Sequence, residues 1–170
     1  MKSLRLVCCG LFMAVALSSA FHAKAQDPPP AGGFKNAYLT LTKSGKVSLT
    51  YTLWDEQVKK GNYTLAFFWA SWSDEAREEL PYILAINKKY AGKVKVLGVT
   101  YGDEIQDSMD AISEWGMTFP SFVFVEDAPP DGRFDVDTIP LVILFGPDGG
   151  IVARDMRGEE IEKAVADAVK

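Results

Sequence analysis

Between Ala37 and Thr52 apolar and polar side chains alternate in two stretches, "AYLTLT" and "KVSLTYT", on either side of "KSG". Period-two alternation around turn residues predicts a β-hairpin. "LWDEQVKKGN" follows as a short connection ending in turn residues, and then the pattern changes. "YTLAFFW", Tyr63 to Trp69, is a continuous apolar run, as expected of a strand covered on both faces. From Ser73 to Tyr90 the apolar residues Ala76, Leu80, Ile83, Ile86 and Tyr90 recur at helical spacing, and Pro81 inside that pattern predicts a kink. "VKVLGVT" reads as the next buried strand, and a helix from about Gln106 to Trp115 stops at Gly116. "SFVFV" is a short apolar strand that leads into an acidic loop through "EDAPPDG". "LVILF" and "IVARD" flank "GPDGG" as a second hairpin, and "EEIEKAVADAV" is a closing amphipathic helix. A strand–helix–strand unit followed by an antiparallel pair implies an α/β fold: a central mixed sheet flanked by helices, with the first hairpin at its N-terminal end.

The N-terminal residues follow neither period. Lys2 and Arg5 precede the apolar "LVCCGLFMAVALSSA", and "AKA", Ala23 to Ala25, supplies a small-x-small cleavage pattern. This reads as a signal peptide over residues 1–25. A membrane anchor is the competing reading, but the apolar run falls short of the ~20 residues a span requires. A lipid-modified Cys9, followed by Gly10, is a further alternative, and it leaves an h-region of only a few residues. "QDPPPAGG" then makes residues 26–34 a Pro/Gly-rich linker, and residues 35–170 form one domain.

Cleavage after Ala25 changes the chemical inventory. Cys8, Cys9 and His22, the only cysteines and histidine, all fall in the removed segment, so the remaining 145 of 170 residues contain neither type. An exported chain ordinarily has access to disulfides; this one has no thiol to use. Losing Lys2, Arg5 and Lys24 from the 18 basic residues leaves 15 against 23 acidic ones, a formal charge of −8. That balance excludes an electrostatic footprint for nucleic acid and disfavours anionic lipid. The expected location is periplasmic or secreted, with no membrane span after cleavage.

The order of elements, with "FWASW" at a strand end and "TIP" before a later strand, resembles the thioredoxin fold, and more closely the TlpA/ResA group of exported thiol–disulfide oxidoreductases. "FFWASWSDEAREELP" matches that group's W-C-x-x-C strand end and helix start in spacing, including Pro81. "FDVDTIPLVILFGPDGGIVARDMRGEEIEKAV" matches its cis-proline loop, hairpin and last helix. The resemblance runs from about Phe34 to Lys170. It implies that Ser73 and Ala76 stand at the two cysteine positions, and Phe67 where many thioredoxin-like proteins place a buried proton-relaying acid. Dithiol exchange needs one thiolate to attack and a second thiol to resolve the mixed disulfide. A serine and an alanine supply neither, so no residue here is assigned a catalytic role, and the motif reads as a degenerate S-x-x-A. The same residues have a plain structural use: Ser73 is a good N-cap, Asp74 and Glu75 suit a helix N-terminus, and Ala76 is a strong helix former. A serine nucleophile would lack a histidine base.

The resemblance also implies that Ile139–Pro140 is cis, and that the residue before the proline offers its backbone to an extended peptide, a strand addition that requires no sulfur. The candidate binding residues are therefore Trp72, Ser73, Thr138, Ile139 and Pro140, with Trp72 exposed as an anchor and Trp69 in the core. The expected partner is an extended polypeptide or partner protein at the Trp72/Ile139 surface. The alternative is an oxidoreductase that works with partner thiols; a third reading buries the old groove permanently against another subunit. Asp103, Asp107 and Asp110, and separately Asp131, Asp135 and Asp137, are acidic clusters without the spacing of a calcium loop, so no metal or other cofactor is expected. Asn62-Tyr63-Thr64 fits a glycosylation sequon, which carries no weight in a bacterial host.

Overall fold

The computed structural model describes residues 35–58, 61–100, 102–123 and 134–170. The signal-peptide and linker readings, and the acidic loop with Asp131, lie outside the described residues. Seven strands form one sheet in the order β2-β1-β5-β4-β3-β6-β7. These are β1 (Lys35–Leu41), β2 (Val47–Leu53), β3 (Tyr63–Trp69), β4 (Val94–Thr100), β5 (Ser121–Val123), β6 (Leu141–Phe145) and β7 (Ile151–Arg154). The helices are α1 (Trp54–Gln57), α2 (Asp74–Lys89), α3 (Ile105–Glu114) and α4 (Glu159–Ala168). β3, β4 and β5 run parallel, while the β1–β2 and β6–β7 hairpins join them antiparallel, so the sheet is mixed. One correction to the sequence reading falls in the connection after β2, where Trp54–Gln57 closes a helical turn and buries Trp54.

Alternation along β3 divides the core. Leu65, Phe67 and Trp69 face α2, α3 and α4, and join Ala76, Leu80, Ile83, Ile112, Ile161 and Val165. Ala66 and Phe68 face the other side, where Trp54, Phe134 and Val136 cover the sheet. This two-sided burial is why β3 is a continuous apolar run. α2 passes through Pro81 without ending, because its capping and the Ile83 and Ile86 contacts outweigh the single backbone bond that the proline cannot donate. Lys88 and Lys89 stand in its last turn, where cations suit the helix dipole.

Thr64, the second residue of β3, has its Oγ1 fully buried with no hydrogen-bond partner among the described residues. A buried hydroxyl left unpaired costs about 1–3 kcal/mol. Thr64→Val keeps the shape and removes the cost, so it should raise stability by about 1 kcal/mol. Urea denaturation reads this directly. A loss of stability would mean that the hydroxyl does find a partner in solution.

Candidate functional site

The site begins where β3 ends. Trp69 is fully buried, and its indole Nε1 donates to Ser121 Oγ at 2.9 Å. That bond lies over Gly98 of β4, where an added Cβ would come within 2.5 Å of Ser121 Oγ and 2.9 Å of Trp69 Nε1. Gly98 is therefore the space that lets the indole cross to β5. The Trp69 ring also stacks obliquely on Trp115, centroids 5.4 Å apart, and the Arg77 guanidinium sits 5.8 Å from the Trp115 ring.

After Ala70 the chain turns out of the sheet. Ser71 donates through its backbone N–H and its hydroxyl to the two carboxylate oxygens of Asp103, at 2.8 and 3.0 Å, and Ser108 Oγ donates to the same group at 3.4 Å. Asp103 thus ties the turn that carries Trp72 to the start of α3, which gives it a structural role in place of the metal-ligand reading weighed for it. Among the described residues, no three His, Cys, Asp or Glu side chains converge as metal ligands.

Burial pushes the Asp103 carboxyl above the usual aspartate range, against the lowering effect of the Ser71 and Ser108 bonds. The folded protein therefore binds this proton more tightly than the unfolded chain does. The contribution is fully present below the ordinary aspartate value and is lost as pH rises through the raised folded value. Relative to Asp103→Asn, the wild-type protein should lose stability across that window as pH rises, then run parallel to the variant above it. Parallel curves from pH 3 to 7 would contradict this (a window set by the ordinary carboxylate range).

Trp72 is 64% exposed, and Ser73 behind it is 3% exposed. Ser73 Oγ accepts the Ala76 backbone N–H at 3.1 Å and donates to Glu75 Oε2 at 3.3 Å. Its hydroxyl is committed to capping α2. Ala76 is fully buried, and so is Phe67, whose ring meets Phe119 edge-on at 6.4 Å.

The Ile139–Pro140 peptide bond is cis. Beside it a groove of about 650 Å³ runs between this loop and the first three turns of α2. Ile139, Pro140, Glu75, Glu78, Glu79, Tyr82, Arg157 and Gly158 line it. Trp72 and Thr138 stand outside that lining, and exposed Thr138 instead borders a second depression with Asp135, Asp137 and Asp155. The structure therefore brings Ile139 and Pro140 together with α2, but through Glu79 and Tyr82.

The sequence reading missed the groove's floor. Glu79 is buried, and its Oε1 accepts the backbone N–H of Gly158, the residue at the start of α4 with φ of 52°. Arg157 donates from its two terminal nitrogens to the carbonyls of Met156 and Pro140 and so braces the proline loop. A glutamate on the buried face of an otherwise apolar helix pattern was the one local signal available for this.

No family model matches the chain. Thiol-disulfide oxidoreductase ResA of Bacillus subtilis is 26% identical over 94 residues, 55% of this chain and 52% of that protein. Thioredoxin-like protein YneN of the same organism is 26% identical over 98 residues, 56% of each. The chain thus spans about half the length of the curated relatives it matches. Among solved structures, the thioredoxin domain of a Bacteroides vulgatus thiol-disulfide oxidoreductase superposes with a TM-score of 0.68 at 22% identity, over 85% of this chain and 99% of that one. A thiol-disulfide oxidoreductase from Bacteroides fragilis gives 0.62 at 23%, over 81% and 97%. At those identities the superpositions establish the fold, and the curated relatives add the sequence link. By fold and by sequence together, this chain is a thioredoxin-like relative of the TlpA/ResA/DsbE-type thiol–disulfide oxidoreductases.

Proposed function

We propose that this is an exported thioredoxin-fold protein that binds an extended polypeptide beside the Ile139–Pro140 loop and performs no dithiol exchange of its own. The observation that carries the reading is the state of positions 73 and 76. One is a buried serine whose hydroxyl caps α2, the other a buried alanine, while the groove beside them stays open. An extended segment laid against Ile139 would find backbone groups to pair with, Tyr82 to pack on and the Glu75 and Glu78 carboxylates at the rim. Trp72, exposed on the adjoining turn, adds an anchor beyond the groove. Export rests on the leader-like residues 1–25; among the described residues no helix is long and apolar enough to cross a membrane.

A second reading is that the chain serves thiol–disulfide exchange with thiols supplied by a partner. The comparisons taken alone favour it, since the curated relative ResA is named as an oxidoreductase. The residues favour the first reading, since neither of the two positions carries sulfur. Insulin reduction separates them. The purified protein should show no reduction above background, alone or with a dithiol-carrying partner added. A photo-cross-linker replacing Tyr82 should capture a polypeptide from a periplasmic extract, and Ile139→Arg should abolish that capture. Catalysed reduction in the presence of partner thiols would select the second reading, and capture unaffected by Ile139→Arg would remove the groove from the first.

A further inference from the structure

β2 is an edge strand: among the described residues it pairs with β1 on one side and with nothing on the other. Exposed edges are ordinarily blunted by lysine, proline, a bulge or shortness, because their unpaired N–H and C=O groups recruit other strands. This one has none of those devices. Val47–Leu53, VSLTYTL, is seven residues of uncharged strand in unbroken register with β1, within a chain of net charge −5. Leu49 and Tyr51 are 40% and 62% exposed. They lie opposite the buried Leu39 and Ala37, so they continue the apolar face under α3 outward to an edge that nothing described covers.

We propose that this edge pairs with the β2 edge of a second copy of the chain, antiparallel about a two-fold axis at Thr50, joining the two sheets into one.

Three observations select a second copy as the occupant. The strand is palindromic in polarity about Thr50, so the two-fold sets Val47 against the partner's Leu53 and Leu49 against the partner's Tyr51 on one face. Ser48 then meets the partner's Thr52, and Thr50 meets the partner's Thr50, on the other; apolar pairs and Thr–Thr pairs are both favourable cross-strand combinations.

The backbone is in phase with this register. Thr42 N–H donates to Lys46 O, which makes Thr42–Lys46 a hydrogen-bonded pair of the hairpin. By the alternation of an antiparallel ladder, the N–H and C=O of Leu49 and Tyr51 then point away from β1. The Leu53 N–H, of the same phase, is accepted by the Glu56 side chain and not by β1, as that alternation requires. The backbone bonds to the partner therefore centre on Leu49 and Tyr51, and the outer Val47–Leu53 pairs rest on side-chain contact.

Charge completes the match. The exposed Lys43 and Lys46 lie at one end of β2, and the exposed Asp55 and Glu56 at the other. The two-fold brings the basic end of each copy to the acidic end of its partner, twice over. Association in a small edge-to-edge interface is expected to be concentration-dependent.

The register makes the test specific. With Leu49 and Tyr51 in hydrogen-bonded pairs, Thr50 faces its symmetry mate as a non-hydrogen-bonded pair, with Cα atoms about 4.5 Å apart, within disulfide range. In protein whose Cys8 and Cys9 are serine or cleaved away, Thr50→Cys should oxidise to a disulfide-linked dimer with copper phenanthroline, while Ser48→Cys alone, set against Thr52, should not. Sedimentation velocity should show a monomer–dimer equilibrium, and Thr50→Lys, which opposes two like charges on the axis at an exposed position, should raise its dissociation constant by roughly tenfold or more. A protein that stays monomeric across the accessible concentration range overturns the proposal. So does equal cross-linking from positions 48 and 50, or a position-50 cross-link to the chain's own residues 1–34.

Discussion

Phe67→Asp should lose about 3 kcal/mol or more of folding stability, a large part of the 5–15 kcal/mol a domain of this size possesses. Phe67 sits in the central strand between Gly98 of β4 and Val142 of β6, fully buried, with Phe119 against its ring. The substitution removes an aromatic side chain from a packed site and leaves a carboxylate buried among apolar side chains. Phe67→Leu, which stays apolar and gives up only part of the volume, should cost less, about 1–2 kcal/mol. Denaturant midpoints for the two variants give the comparison. If the aspartate variant is nearly as stable as the wild type and its carboxyl titrates well above the ordinary range, then this position still carries a cavity fit for a proton relay.

Restoring Ser73→Cys and Ala76→Cys together should give a protein that closes a disulfide and yet reduces substrates poorly. One helical turn separates the positions, so the bond is geometrically accessible. The start of α2 favours a thiolate at position 73 by about 0.3–1 kcal/mol. Against it stands Glu75, whose carboxylate lies 3.3 Å from the present hydroxyl. At that separation a like charge costs about 1–4 kcal/mol, between the bulk-water and near-surface limits. The carboxylate wins, and the thiol pKa should sit at or above its ordinary value of about 8.5. The second thiol, at a fully buried position in the same apolar cluster as Phe67, has no acid at position 67 to take its proton. Each unit of pKa above the assay pH lowers the thiolate fraction about tenfold, so insulin reduction should trail a W-C-x-x-C relative by at least that factor. Adding Glu75→Gln should then lower the pKa of the first thiol. A double variant with a strongly depressed pKa and ordinary activity would show a site still tuned for thiolate chemistry, and the binding reading would fall.

The local features of the chain were legible from residue order because each depends on neighbours a few positions away. The β1–β2 hairpin is set by alternation around a turn, the β3 run by burial on both faces, and the start of α2 by a serine whose hydroxyl reaches the amide three residues on. Trp54 escaped that reading because a single helical turn has no period to detect. The acidic cluster around Asp103 was ambiguous for a related reason, since a carboxylate that binds cations and one that accepts amide hydrogens look alike until Ser71 is known to lie against it.

Sequence by itself determined the element order, the sheet's mixed character and the absence of cysteine from residues 35–170, since period, caps and composition are local or additive properties. Tertiary structure alone decided what lines the groove. Glu79 meets Gly158 across 79 positions and Trp69 meets Ser121 across 52, over a gap that only Gly98 leaves open. Trp72, the residue that order along the chain singles out, was left outside that lining. Such contacts are fixed by which strands lie side by side and which helix face turns inward, and no short window of residues carries that information.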